Sequence, residues 1–306
     1  MVSAVLLASI AVGCMYAARR LRRAAWPLRG PHAAVVAWQA IGLAWGFAAI
    51  GALLAVGLLP YGQGVVGGLL ALAGELASPT GLTTVGPFQL AAIGAAAGLT
   101  GLLLWMLVAS FVAVMRARQR HRELLNLVGR GHPELPGALV LDHPAAAAYC
   151  VPGVRSQVVV SAGTLALLDR GELDAVMAHE HAHLRERHDL VLLPFASLRR
   201  AFPGVGVVES SYAAVGLLIE MCADDQARRQ LAARTLAMAL LRIGAAGPGR
   251  VPSGALSAAG TEHDVVTRVS RLLEPSAALS RRAQLAILGA SAGLMAATFA
   301  LWNLPL

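Results

Sequence analysis

The chain has 306 residues, 57% of them apolar and only 14% charged, which excludes an ordinary soluble domain. Its formal charge of +8 rests on 25 basic residues, all arginine. They sit beside apolar runs, which ties the charge to membrane topology and argues against direct nucleic-acid binding. Cys14, Cys150 and Cys222 match neither a metal motif nor a disulfide framework and read as small buried residues.

In chain order, residues 1–18 form a first apolar run, followed by Arg19, Arg20, Arg22 and Arg23. A secretory signal carries its charge before the apolar stretch, so this run is expected to be an uncleaved span. Residues 33–59 give a second span. Residues 85–115 give a third, longer than the roughly 20 residues a bilayer needs. Between them, residues 61–84 are glycine-rich, with an expected re-entrant or interfacial helix over 65–77. A fourth span covers 283–302, within a terminal segment 283–306. Five arginines lie between the first two spans, none between the second and third, and Arg116, Arg118, Arg120 and Arg122 follow the third. The arginine bias predicts a multi-pass cell-membrane protein with both termini outside and residues 116–282 in the cytoplasm. The expected organisation is a membrane domain (1–115), a cytoplasmic domain (116–282) and a last span.

Within 116–282, residues 116–128 extend the third span and 129–137 form a turn-rich break. Strands are expected at 138–141, 146–151 and 157–161, and a short helix at 164–168. Residues 172–193 read as one long helix. Residues 190–208 read as an amphipathic, membrane-hugging segment, 210–241 as one or two helices, and 245–260 as a flexible linker open to self-cleavage. A last short helix is expected at 265–273, with Val266, Val269, Leu272 and Leu273 on its apolar side and Arg268 and Arg271 opposite.

The helix at 172–193 carries His179-Glu180-His181-Ala182-His183, an H-E-x-x-H string. Positions i and i+4 share a helix face, so His179 and His183 can bind one zinc ion. Glu180 suits a general base that takes a proton from an attacking water and passes it to the departing amine. Such a zinc site needs a third protein ligand. Glu220 can supply it, and Asp224, one turn on, can hold the far nitrogen of His179. His181 is expected to face away and Asp225 to be a surface charge. His188 and Asp189 read equally well as supports of the site or as surface polarity. An oxyanion donor stays open among Tyr212, His188 and the arginines. Ala147, Tyr149 and Val151 are expected on an edge strand that binds extended substrate.

The stretches 148–153, 158–163 and 172–183, with Glu220 and Asp224, resemble the gluzincin membrane peptidases. Three spans before the zinc helix and one after resemble the BlaR/MecR-type antirepressor peptidases over nearly the whole chain. The resemblance implies a mainly α membrane protein with an inserted α+β gluzincin-like zinc peptidase domain between spans three and four. It implies one Zn2+ per chain on His179, His183 and Glu220, with Glu180 catalytic. It further implies cleavage of a cytoplasmic protein, such as a winged-helix repressor, in signal transduction. The classical sensors carry a C-terminal penicillin-binding domain; this protein is expected to do without one, and the stimulus is expected through the spans, the 61–84 loop or a partner. Two alternatives stand beside this: HtpX-like quality control of membrane proteins, and a non-catalytic zinc-dependent sensor or scaffold, which an intact Glu180 disfavours.

Overall fold

Helix α1 (Val2–Arg23) follows the first apolar run, and a short α2 (Trp26–Arg29) leads into α3 (Pro31–Gly57). The structure, a computed structural model, describes residues 1–79, 81–132, 135–153, 156–246, 256–257, 262–274 and 277–305. Pro31 opens α3, where a missing N–H leaves no hydrogen bond unmade. The buried stripe of α3 is Ala34, Ala37, Ala44 and Ala48. Apolar side chains gain little from one another in lipid, so small residues that let backbones approach are what hold such helices together. Gly62 and Gly64, with φ of 69° and 77°, turn the chain into α4 (Gly64–Leu76), which is too short to span a bilayer. Helix α5 (Pro87–Val128) then runs unbroken for 42 residues. That is about 63 Å, twice the thickness of a bilayer's hydrocarbon core, so the helix is longer than a crossing needs.

The C-terminal end of α5 meets a five-stranded sheet. Its strands are β1 (Arg130–His132), β2 (Leu135–Leu141), β3 (Ala148–Val151), β4 (Gln157–Ser161) and β5 (Leu256–Ser257), in the order β1-β2-β4-β3-β5. β2 and β4 are parallel, with Ala138 opposite Val158. The other pairs are antiparallel, with Ala148 opposite Val160 and Cys150 opposite Leu256. β1 and the start of β2 come from the stretch expected to be a turn. Around the sheet lie α6 (Ala162–Leu167), α7 (Arg170–Arg185), α8 (His188–Ala201), α9 (Gly206–Ala227), α10 (Ala233–Ala245) and α11 (Glu262–Leu273). Helix α12 (Arg281–Asn303) returns to the apolar bundle. There Trp302 fits against Gly51 of α3 and donates its indole N–H to Phe47 O at 3.3 Å.

The sheet is covered on both faces. Cys150, Val158 and Val160 face Leu173, Met177 and Leu184 of α7. The alternate residues Tyr149, Val151 and Val159 pack with Leu125 of α5. Burial on both sides explains the unbroken Val158-Val159-Val160 run.

Several sequence expectations change. The helix expected over 172–193 is two helices. Arg187, with φ of 50°, takes a left-handed turn between α7 and α8. α11 is rotated from the expected register: Val265, Arg268, Val269 and Leu272 are buried, while Val266 and Leu273 are exposed. Among the described residues, five helices are long and apolar enough to cross a membrane by length and composition: α1, α3, α5 and α12, which coincide with the four expected spans, and α9. The addition, α9, carries four carboxylates and packs against α7, α8 and α3, so its apolar face serves contacts inside the protein. Most of the expected linker and self-cleavage segment, residues 247–255 and 258–260, lies outside the described residues.

Candidate metal centre

α7 starts at a capping box. Asp169 accepts from Glu172 N at 2.9 Å, and Glu172 accepts from Asp169 N at 3.1 Å. This fixes the helix phase so that Val176 and Ala175 meet the core while His179 and His183 turn toward α9. α9 places Glu220 and Asp224 one turn apart on its facing side.

The donor atoms converge. His179 Nε2 and His183 Nε2 are 3.0 Å apart; Glu220 Oε2 lies 3.3 Å from the first and Glu220 Oε1 3.4 Å from the second. A tetrahedral ion with bonds of about 2.0–2.1 Å sets its ligands about 3.3 Å apart, so these spacings match those between the corners of such a cage. Both imidazoles are fully buried, and Glu220 keeps a side chain 13% exposed, which leaves the ion position reachable from one side.

The remaining ring nitrogens are held from behind. His179 Nδ1 lies 3.0 Å from Asp224 Oδ1. His183 Nδ1 lies 2.9 Å from His188 Nδ1, and His188 Nε2 lies 3.1 Å from Glu186 Oε2. One tautomer set satisfies every contact: His183 Nδ1–H donates to His188, and His188 Nε2–H donates to Glu186. Both ligand histidines then aim Nε2 lone pairs at the ion position. Burial, and next the charge of His183, lowers the His188 pKa to about 4, which keeps it neutral as this chain requires.

Arg268 is the residue that sequence reasoning missed. It is fully buried and grips Asp224 with two hydrogen bonds, Nε to Oδ2 at 2.8 Å and Nη2 to Oδ1 at 2.7 Å. Its Nη1 lies 3.0 Å from Glu220 Oε2. Burial opposes ionisation of Asp224, yet the Arg268 charge holds its pKa down to about 2. Glu220 is likewise held well below the carboxylate range, by His183 and Arg268 against burial. For His179, burial is outweighed by Asp224 and Glu220, so its pKa rises to about 9. Glu180, Glu220 and Asp224 against Arg268 leave two negative charges at the site when the imidazoles are neutral. A divalent cation neutralises them, and without one they would be costly to keep buried.

Glu180 is fully buried, within hydrogen-bonding range of the Cys150 thiol, whose pKa burial and then the Glu180 charge push up. Asp189 accepts from Arg118 of α5 at 2.9 Å in a buried pair, so neither His188 nor Asp189 is surface polarity. His181 does face outward, its Nδ1 2.7 Å from Met177 O, and Asp225 pairs with Arg271 at 2.8 Å. Of the candidate oxyanion donors, Tyr212 has its ring 4.8 Å from the Arg199 guanidinium, and His188 is engaged as above.

The expected substrate strand differs most. β3 is not at the edge, because Leu256 and Ser257 pair with Cys150 and Tyr149. Tyr149 and Val151 are buried, and Tyr149 Oη lies 2.9 Å from His121 Nε2 of α5. Ala147 N donates to Ser161 and Thr164, and its carbonyl accepts from Ser161 N. These backbones are occupied by the protein itself.

The family model of peptidase family M48 matches residues 115–246, from within α5 to the end of α10. This stretch is therefore similar to the peptidases of that family. No solved structure matches the chain.

Proposed function

We propose that this chain is a multi-pass membrane zinc endopeptidase that cuts a cytoplasmic protein, a transcriptional repressor, as a step in signal transduction. The observation that carries it is the convergence of His179, His183 and Glu220, with the buried Glu180 beside them. The arginine distribution supports a cytoplasmic site and outside termini. Helix α5 supports signalling, since it joins the membrane bundle to the site through Arg118 and to the sheet through His121.

His179, His183 and Glu220 would hold the zinc ion. When bound, it supplies Lewis acidity that polarises a peptide carbonyl and acidifies water. Glu180 takes the proton of the attacking water and delivers it to the leaving amine. Asp224 and His188 keep the imidazole protons on Nδ1, which leaves both Nε2 atoms as donors. Arg268 keeps Asp224 ionised and so able to accept.

A second reading, turnover of damaged membrane proteins, is favoured by the packing of α8 and α9 directly on α1 and α3, which sets the domain against the apolar bundle. Purified wild type, Glu180→Gln, His183→Ala and Glu220→Ala test the chemistry. Glu180→Gln is expected to keep zinc and lose about 10²–10⁴ in cleavage rate. The two ligand variants are expected to lose the metal. Undiminished cleavage by Glu180→Gln sinks the peptidase reading. Comparison of cell proteomes with wild type and Glu180→Gln then separates the roles: one stabilised repressor supports signalling, and many stabilised membrane proteins support turnover.

A further inference from the structure

We propose that the cavity between α1, α3 and the α8–α9 hairpin binds an acyl chain of an anionic phospholipid from the cytoplasmic leaflet. The cavity has a volume of about 150 Å3 and is partly open. Trp38 and Trp45 of α3, Phe195 and Leu198 of α8, and Phe202 just past its end form much of its wall. Close-packed interiors rarely leave such a space, and an apolar hole of this size stays dry and takes an apolar guest. On the α3 side the space begins at the backbone of Gly42, where an added Cβ would meet nothing within 4 Å.

The rim supplies the sign of the headgroup. Met15 and Ala18 line the cavity from α1, and the same helix stripe continues at Arg19 and Arg22, both exposed. On α8, Arg200 is exposed beside Leu198 and Phe202, while Arg199 is held by Glu209 at 3.1 Å. An apolar slot under a basic rim, between helices apolar enough to span a membrane, suits a lipid tail with an anionic head. A water-soluble ligand would find almost no polar partner on these walls.

The two helices that line the slot also build the metal centre. α8 begins with His188 and Asp189, about 9 Å along the helix from Phe195. α9 runs from Ser211 on the cavity wall to Glu220, about 14 Å away. A tail in the slot therefore spaces the hairpin whose far ends carry Glu220 and the His188 that backs His183.

The test uses the full chain in nanodiscs with phosphatidylglycerol or phosphatidylcholine carrying a photoreactive acyl tail, with labelled peptides mapped by mass spectrometry. Phosphatidylglycerol is expected to label residues 195–211 preferentially. Gly42→Phe fills the slot, and the label there should fall roughly tenfold, equivalent to about 1.4 kcal/mol, while the exposed Trp105 of α5 stays labelled as a reference. Gly42→Leu is a milder filler should the aromatic ring disturb folding. Arg19→Gln with Arg22→Gln should bring phosphatidylglycerol labelling down to the phosphatidylcholine level. Label at 195–211 that survives both fillers, or that ignores headgroup charge, overturns the proposal. So does cross-linking of that face to a protein segment in place of lipid. None of these readouts depends on peptidase activity, so Glu180→Gln should label like wild type.

Discussion

Removal of the Arg268 guanidinium would strip from Asp224 and Glu220 a buried cation that contacts both carboxylates. Breaking a buried pair by deleting one partner costs about 3–5 kcal/mol. Arg268→Met should therefore lower the melting temperature of the metal-free protein strongly, and saturating zinc should recover part of the loss, because the ion supplies the missing charge. Equal melting of variant and wild type after chelation would refute that role. Acidity gives a second handle on the same cluster. With the His179 pKa raised to about 9, zinc must displace a proton from it at neutral pH. Zinc affinity should climb from pH 6 to about 9 and then level off, with about one proton released per ion in calorimetry across buffers. The sign for the metal-free fold is opposite: the His179 contribution to stability is complete below its unfolded value near 6.5 and is lost as pH rises through 9. His188→Phe removes the acceptor behind His183 and should weaken zinc by about 10–100-fold in a chelator competition. Histidines 179 and 183 with Glu180, and then Glu220 with Asp224, are legible in the sequence because each set obeys helix spacing. Arg268 is not, since 44 positions separate it from Asp224. Its helix pattern also fits two registers, Val265 or Val266 with Val269 and Leu272, and an arginine defaults to the wet side in either.

At the level of elements, the turn at Arg187 decides what the second half of the zinc region does. A straight helix from 172 to 193 would carry His188 and Asp189 away from the ligands. The left-handed residue reverses that, folding His188 back onto His183 and pointing Asp189 at α5. No glycine or proline marks the break, so the sequence pattern runs through it. The length of α5, by contrast, could be read directly: an apolar stretch continues into Arg116–Arg122 without a breaker. What composition did not reveal is that the extension is a covered layer of the sheet, with Leu125 inside the core and Arg118 buried against Asp189. Arg118→Met leaves that carboxylate to the half-exposed Arg187, 3.5 Å away, and should cost up to about 3–5 kcal/mol, whereas Arg118→Met with Asp189→Leu should recover most of it. Thermal unfolding in detergent measures both. A double variant no better than the single one would show that the pair acts through something other than its charge.

Across the whole molecule, the boundary drawn from charge at residue 116 does not separate two cores. Phe195, Val215, Leu218 and Ile219 of the peptidase region pack into one cluster with Ala18, Leu21, Ala34, Ala37 and Trp38 of α1 and α3. His32 of α3 reaches Glu186 at 3.2 Å, and Glu186 in turn holds His188 at 3.1 Å. Helices α1 and α3 thus supply part of the wall and one end of the hydrogen-bond chain behind His183, a candidate metal ligand. A fragment of residues 116–282 would expose that apolar face to water at a cost of about 25 cal/mol per Å2 uncovered, and would lose the His32 contact. The fragment is expected to aggregate, or to stay soluble only with detergent and to bind zinc weakly, while the full chain in nanodiscs binds one ion. The comparison needs only size-exclusion chromatography and zinc content per chain. A monomeric fragment that is soluble without detergent and fully loaded with zinc would mean that the shared cluster is dispensable and that the peptidase fold closes its core alone. The opposite result makes the bundle a structural part of the metal centre, which is the physical condition for any movement of α1, α3 or α5 to reach His183.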